Sequence, residues 1–258
     1  MVLQSHRLQR LTDFFEAHPV FFVGLFVFAC LGPFANRALN IDDPLFAWSG
    51  EWIQKHPFNF YGSDVNWYGV QLPMHVTNQN PPATAYLLAL VGSLFGWNEV
   101  VLHAAFLLIA FGAAAGIYRL AQLWCGRPLL ATVLSVCTPV FLVSGTTLMS
   151  DMLMLAFWIW AVVFWQGALK TGKVSGFIIA GVLGGCALLT KFSAVALLPL
   201  LLLLGLLQKR RPGWWLLALL LPLGMLAILQ VASLQLYGHS PFSLATAYAS
   251  AQRTLFRG

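Results

Sequence analysis

The amino-acid sequence predicts an all-α polytopic membrane protein with about seven transmembrane helices. Of its 258 residues, 59% are hydrophobic and only 9% are charged, whereas soluble domains carry about 25% charged residues. Apolar runs of roughly 17–25 residues, the length that crosses a bilayer, recur along the chain. The net charge of +6 comes largely from Lys and Arg in short loops between these runs. That pattern sets membrane topology and does not indicate a nucleic-acid partner.

Seven of the runs are predicted to cross the membrane as one transmembrane domain over residues 1–258: residues 20–36, 99–120, 128–147, 152–169, 174–190, 193–207 and 214–237. A further run, residues 82–97, has 16 residues, begins with two prolines and contains two glycines. As a helix it reaches only about 24 Å, less than the hydrocarbon core of about 30 Å. We therefore expect an interfacial helix there, inside a long loop over residues 37–98.

The positions of the basic residues support this assignment and predict which side the loop faces. If residues 82–97 do not cross and the N-terminus is cytoplasmic, nine Lys and Arg lie inside and five outside. If they cross, seven of those nine move outside, against the positive-inside rule. The first topology puts the loop 37–98 and the last segment, 238–258, on the non-cytoplasmic side. It also gathers Lys191 and six of the eight acidic residues on that side: Asp42, Asp43, Glu51, Asp64, Glu99 and Asp151.

Asp42 and Asp43 follow the first apolar run directly, and two interpretations of the pair are open. Carboxylates commonly lie at the solvated ends of membrane helices, so the pair is compatible with a helix end alone. Alternatively, burial and a like-charged neighbour raise a carboxylate pKa and suit it to accept a proton from an attacking hydroxyl. In that case Asp42 is the catalytic base, and Asp43 shares in the chemistry, orients Asp42 or helps to hold a metal ion.

Asp151 and Lys191 lie in very short connections between apolar runs. An unpaired carboxylate in so apolar a setting costs several kcal/mol, so Asp151 is either a helix N-cap or a site residue that supports substrate or metal. Lys191 either extends to the membrane surface or binds a phosphate group, for which Lys is a common point-charge ligand. His75 and Asn80, beside the interfacial segment, are weaker candidates for contact with substrate or metal.

Four segments in order carry a family resemblance: Asp42-Asp43, Asn80-Pro-Pro with the apolar stretch after it, Thr147-Leu-Met-Ser-Asp151, and Gly184-Gly-Cys-Ala-Leu-Leu-Thr-Lys191. Together they resemble the GT-C-type glycosyltransferases of the protein O-mannosyltransferase and lipid A aminoarabinose transferase superfamily, over residues 40–207. These enzymes usually have a longer chain with more spans. The resemblance therefore implies that this chain corresponds to their N-terminal half.

The resemblance implies a sugar donor carried on a polyprenyl phosphate, an acceptor hydroxyl on a lipid, glycan or protein, and surrounding membrane lipids. It further implies location in a bacterial inner membrane with the active site outside the cytoplasm. Asp42 corresponds to the catalytic base, Asp151 to the acidic residue before the fourth span, and Lys191 to the lysine near the donor phosphate. The expected reaction is a single inverting displacement, with a divalent metal ion as a possible cofactor.

Two departures from the family pattern keep other functions open. Asn80, preceded by Gln79, stands where family members often have His or Lys, and Leu45 replaces a basic residue found in some relatives. A non-catalytic membrane scaffold therefore remains an alternative. A secondary transporter or flippase component is the other, although such proteins place charges near the membrane midplane on broken helices.

Overall fold

A computed structural model describes residues 18–67 and 69–255 and is almost entirely helical. Its elements, in chain order, are α1 Pro19–Leu31, α2 Asp43–Lys55, β1 Asp64–Asn66, β2 Gln71–Pro73, α3 Met74–Thr77, α4 Ala83–Phe95, α5 Glu99–Trp124, α6 Pro128–Val136, α7 Pro139–Gly145, α8 Ser150–Thr171, α9 Val174–Thr190, α10 Leu197–Lys209, α11 Leu220–Tyr237 and α12 Pro241–Leu255. Short 3₁₀ helices cover Gly32–Phe34, Phe192–Ala196 and Trp214–Leu219. The two strands pair antiparallel, with Val65 opposite Leu72.

The predicted fold class, an all-α polytopic membrane protein, is confirmed. Among the described residues, four continuous helices are long and apolar enough to cross a membrane: Glu99–Trp124, Ser150–Thr171, Phe192–Lys209 and Trp214–Tyr237. Pro19–Phe34, Ala83–Phe95 and Val174–Thr190 are apolar but shorter. The count of seven spans therefore stays a prediction. The topology also used Arg7 and Arg10, which lie outside the described residues, as does the end of the predicted outer segment 238–258.

The predicted span over residues 128–147 is not one continuous helix but breaks in its middle into two helices, and its crossing of the membrane stays a prediction. Helices α6 and α7 are bent by 65° relative to each other. Pro139 has no N–H to continue the helical ladder and disfavours helical geometry at Thr138, whose backbone is extended. The Thr138 hydroxyl then caps α7 by accepting the Phe141 N–H at 3.3 Å, while it donates to the Ser135 carbonyl at 2.7 Å.

Small residues let the membrane helices approach closely. A Cβ at Gly116 of α5 would lie 2.8 Å from Cγ2 of Ile159 in α8, and a Cβ at Gly181 of α9 would lie 2.6 Å from the Ala218 carbonyl oxygen. Glycine at such positions is the usual device by which membrane helices gain van der Waals contact. These contacts pack α8, which carries Asp151, against α5, and α9, which leads to Lys191, against the 3₁₀ helix Trp214–Leu219.

The segment over residues 37–98 contains two helices that run side by side in the same direction. Gly50 of α2 faces the backbone of α4, where an added Cβ would lie 3.1 Å from the Ala85 oxygen and 3.2 Å from the Ala89 nitrogen. One turn later, the Gln54 amide donates to the Ala89 carbonyl at 3.2 Å and to Ser93 at 2.8 Å. The contacts advance along both helices together, so their N-terminal ends lie at the same edge. Asp42 and Asn80 precede those two ends.

Candidate active site

Asp43 is a buried tether between the segment over residues 37–98 and the membrane bundle. Its side chain is 0% exposed. One carboxylate oxygen accepts the Asn40 N–H at 3.1 Å, and the other accepts the Leu148 N–H at 2.8 Å across 105 positions of sequence. Burial raises the pKa of this carboxyl, and the two N–H groups oppose that shift. Because both oxygens are engaged by backbone, the geometry favours the interpretation in which Asp43 orients its neighbours.

Asp42 differs from Asp43 in its surroundings, although the two are adjacent. It is partly exposed and lines a cavity of about 200 Å³ together with Trp67, Asn78, Gln79 and Asn80. Within the described chain, its carboxylate accepts no capping hydrogen bond from α2. The carboxylate is therefore not engaged in capping α2 and is free to meet a ligand in the cavity.

The backbone immediately before Asp42 is strained. Ile41 has a φ of +53°, a left-handed conformation that β-branched residues adopt rarely. The Asn40 side chain supports it by accepting the Ile41 N–H at 2.8 Å. Strain of this kind persists only where the surroundings enforce it, and it clusters at functional sites.

The opposite wall of the cavity is made by residues 78–80. Asn78 is buried, and its side-chain oxygen accepts the Asn80 N–H at 3.2 Å and the Asn80 side-chain amide at 3.4 Å. The Tyr61 hydroxyl donates to the Asn80 carbonyl at 2.9 Å. Asn78 and Tyr61 are site residues that the sequence did not reveal, since no pattern links either of them to Asp42. Amide groups, a carboxylate and the Trp67 ring suit the binding of a hydroxyl-rich ligand.

Asp151 and Lys191 form an ion pair. Asp151 lies in the first turn of α8, and Lys191 lies between the end of α9 and the following 3₁₀ helix, where its backbone is extended. The Lys191 ammonium donates to a carboxylate oxygen of Asp151 at 2.6 Å, and the two side chains are 32% and 35% exposed. The pairing explains how Asp151 is tolerated beside apolar helices. The partial exposure leaves the ammonium accessible to an anion.

The ion pair and the two carboxylates of α2 lie at the same end of the bundle. Leu148, which Asp43 holds, is three positions before Asp151. Leu189 and Phe192, on either side of Lys191, pack against the cluster that contains Leu45 of α2. Asp42 and Asp151 nevertheless line two different cavities, and the second, of about 350 Å³, is also lined by Ser135, Thr138 and Ser144 near the helix break. The two cavities are therefore separate, and the hydrogen bond from the Leu148 N–H to Asp43 links the chain segments beside them.

His75 is the remaining predicted residue. Among the described residues, its side chain makes no hydrogen bond to the two α2 carboxylates or to the Asp151–Lys191 ion pair. Its Nδ1 atom lies 2.7 Å from Nε2 of His239, and its ring stacks on Tyr237. Its predicted contact with substrate or metal stays a prediction.

The described residues of this site do not supply a cluster of side-chain ligands for a divalent metal ion. Over residues 18–67 and 69–255, no three His, Cys, Asp or Glu side chains come together in a way that would hold a metal ion.

A family model for dolichyl-phosphate-mannose-protein mannosyltransferases matches residues 79–237. The chain belongs to this family. Its members are membrane glycosyltransferases of the GT-C type, in agreement with the resemblance found in the sequence. The match includes Asn80, Asp151 and Lys191, while Asp42, Asp43 and His75 precede it. None of the curated proteins matches the chain.

Proposed function

We propose that this protein transfers a sugar from a polyprenyl-phosphate donor to an acceptor hydroxyl, with inversion at the anomeric carbon, on the non-cytoplasmic face of the membrane. Family membership supports the reaction class. The observation that carries the proposal is the convergence, at one end of the bundle, of an accessible carboxylate and an accessible ammonium. Asp42 offers the first and Lys191 the second.

In the proposed reaction, the acceptor hydroxyl attacks the anomeric carbon from the side opposite the phosphate. The new bond from the acceptor oxygen to the anomeric carbon forms as the bond to the phosphate oxygen breaks, and its electron pair leaves with the lipid phosphate. Asp42 takes the hydroxyl proton, and a positioned base of this kind contributes roughly 10²- to 10⁴-fold to the rate.

Lys191 is proposed to stabilise the leaving phosphate. Its ammonium has three N–H donors, so it can keep its bond to Asp151 and still bind a phosphate oxygen. Asp151 then acts as a positioning residue that holds the lysine in one rotamer. Charge placed in advance where negative charge develops is usually the largest single term in catalysis.

The direct test uses the full chain in lipid nanodiscs with radiolabelled polyprenyl-phosphate sugars and a membrane extract as the acceptor source. We expect labelled product together with released polyprenyl phosphate, and NMR of the product should show the anomeric configuration opposite to that of the donor. Retained configuration would contradict the single displacement. A chain that binds donor and never releases polyprenyl phosphate would instead support the scaffold alternative.

The proposed sidedness has a separate test. A cysteine replacing Ser63 in the outer segment is compared with the native Cys125, which is exposed and follows the far end of α5. A membrane-impermeant maleimide should label Ser63→Cys in intact cells and should label Cys125 only after lysis. The reverse pattern would show that the site faces the cytoplasm.

A further inference from the structure

The segment over residues 37–98 is joined to the end of α11 by contacts among three rings, those of His75, Tyr237 and His239. Nδ1 of His75 in α3 lies 2.7 Å from Nε2 of His239, which follows α11. The Tyr237 ring, at the end of α11, stacks on His75 with a centroid distance of 4.6 Å and an interplanar angle of 12°. The two histidines are 164 positions apart in sequence, so this contact closes a long loop of the chain.

The hydroxyl group of Tyr237 extends the contact towards the Asp42 cavity. It accepts the Tyr61 N–H at 2.8 Å and donates to the Asn59 side-chain oxygen at 3.0 Å. The hydroxyl of Tyr61 in turn donates to the carbonyl of Asn80, which lines the cavity. Tyr61 is buried, so its ring transmits the position of α11 to residues 78–80 with little freedom to move.

The two imidazoles can hold this geometry only in some protonation states. Of the two facing nitrogens, one must be protonated and donate the hydrogen bond, and the other must be unprotonated and accept it. A single positive charge on the pair preserves that hydrogen bond, whereas two charges place N–H against N–H and add repulsion. Nδ1 of His239 is buried and finds no hydrogen-bond partner among the described residues.

We propose that Tyr237, His75 and His239 form a clasp that positions residues 78–80 for the transfer reaction and opens when both imidazoles are protonated. The positioning role rests on the function proposed above for the Asp42 cavity. The clasp itself rests only on the ring contacts and on the hydrogen bonds that run from Tyr237 through Tyr61 to Asn80.

The groups that face His75 decide the direction of the pH effect. His239 comes from the segment after α11, the Tyr237 phenol from α11 and Asp64 from β1. Burial lowers the pKa of His75, the neighbouring His239 lowers it further, and the Asp64 carboxylate opposes both. A histidine whose pKa is lowered in the folded protein contributes stability above its ordinary pKa of 6.5. That contribution is lost as the pH falls through the lower folded value, so the clasp opens in acid.

Hydrogen exchange of residues 59–80 in the full chain, in nanodiscs, measures the clasp without any need for catalysis. After correction for intrinsic exchange rates, we expect wild-type protection to fall by about tenfold between pH 7.5 and pH 5, the scale of a lost buried hydrogen bond. Unchanged protection across this range would overturn the pH-dependent opening.

Two substitutions at His239 separate positioning from general destabilisation. Gln places an amide that can donate or accept where Nε2 stood, so His239→Gln should keep protection high at both pH values. His239→Ala should leave protection low at both. An acid response in His239→Gln equal to that of the wild type would assign the titration to another group and overturn the proposal.

Tyr237→Phe removes the hydroxyl that holds Tyr61 and should lower protection at pH 7.5. Its matched control is Tyr86→Phe, because the Tyr86 hydroxyl also donates to a carbonyl within residues 37–98, that of Pro57, and makes none of the hydrogen bonds that run from Tyr237 through Tyr61 to Asn80. Equal loss of protection in both variants at residues 59–80 would contradict a specific clasp.

The pH dependence of activity gives an independent test. If the chain transfers sugar, the acid limb of kcat/KM should flatten in His239→Gln and persist in His56→Asn, a control in which the exposed His56 is replaced. If the chain transfers no sugar while the exchange results hold, the clasp stands as a structural device and only the proposed function fails.

Discussion

The first turn of α2 and the paired ends of α8 and α9 each bring charged groups to the same end of the bundle, but they hold them differently. At α2, Asp43 is held by backbone N–H groups and is fully buried, which leaves the adjacent Asp42 open to a cavity. At α8 and α9, Asp151 is held by the charge of Lys191, and both side chains stay partly exposed.

This difference indicates how the two regions divide the work. A buried carboxylate with both oxygens held by backbone N–H groups is fixed and closed to ligands, so Asp43 suits positioning, and the proton transfer proposed above is left to Asp42. An ion pair at the surface is adaptable, because an ammonium with spare donors can accept a second anion. The α2 region therefore suits proton transfer, and the region between α8 and α9 suits binding of a phosphate.

The largest effect is expected from Asp42→Asn, which removes the base and nearly preserves the shape of the side chain. Transfer should fall by roughly 10²- to 10⁴-fold, with normal membrane insertion. Glu51→Gln is the matched control, since Glu51 is an exposed carboxylate further along the same helix. Single-turnover release of polyprenyl phosphate gives the measurement, and near-normal transfer by a well-folded Asp42→Asn would refute the assignment.

A somewhat smaller loss is expected from Lys191→Met, which removes the ammonium and keeps the length of the side chain. By analogy with the removal of one transition-state donor, kcat should fall by roughly 10²- to 10³-fold. Lys191→Arg should recover part of the rate, because it keeps both the charge and a partner for Asp151. A Lys191→Met enzyme with unchanged kcat and raised KM would show that the lysine binds ground state and transition state equally.

Asp43→Ala tests the tether of the α2 region through stability. It leaves the buried Leu148 N–H without its acceptor, and an unmet buried donor costs about 1–3 kcal/mol of unfolding free energy. Asp43→Asn should lose less, since its carbonyl oxygen can still accept one bond. Unfolding of the purified variants in detergent measures both values. Equal stability of Asp43→Ala and the wild type would exclude the tether.

The smallest effect is expected from Thr146→Val. This change removes a second hydrogen bond between the segment over residues 37–98 and the connection before α8. Arg37 donates to the Thr146 hydroxyl at 3.2 Å, and this bond is only partly buried. Its loss should cost about 0.5–1.5 kcal/mol, measured in the same unfolding assay. A cost above that of Asp43→Ala would reverse the order of importance of the two links.

Much of the fold was predictable from sequence because the physics is local to each segment. Long apolar runs imply membrane helices, and the short, proline-initiated run over residues 82–97 became the 13-residue helix α4. The helix break before Pro139 was missed, although its signal was present. A proline in the middle of a span does not by itself show that the helix ends. Here Thr138 before Pro139 caps a new helix, which marks the break.

The site was predictable only in part. The distribution of Lys and Arg between the spans predicted that Asp151 and Lys191 lie on the same side of the membrane, and the structure joins the two in an ion pair. The burial of Asp43, by contrast, depends on the Leu148 N–H across 105 positions. The contact of His75 with His239 depends on where α11 ends. No local pattern encodes either contact, because both arise when separate helices pack.

The central claim is that donor binds between the α2 region and Lys191. A polyprenyl-phosphate sugar with a photoreactive diazirine on the sugar tests this when it is cross-linked to the full chain and the labelled peptides are mapped. Cross-links should fall within residues 37–98 and near Lys191, should be displaced by unlabelled donor and should weaken in Lys191→Met. Displaceable cross-links concentrated instead at the opposite end of the bundle, around Arg127, would contradict the account.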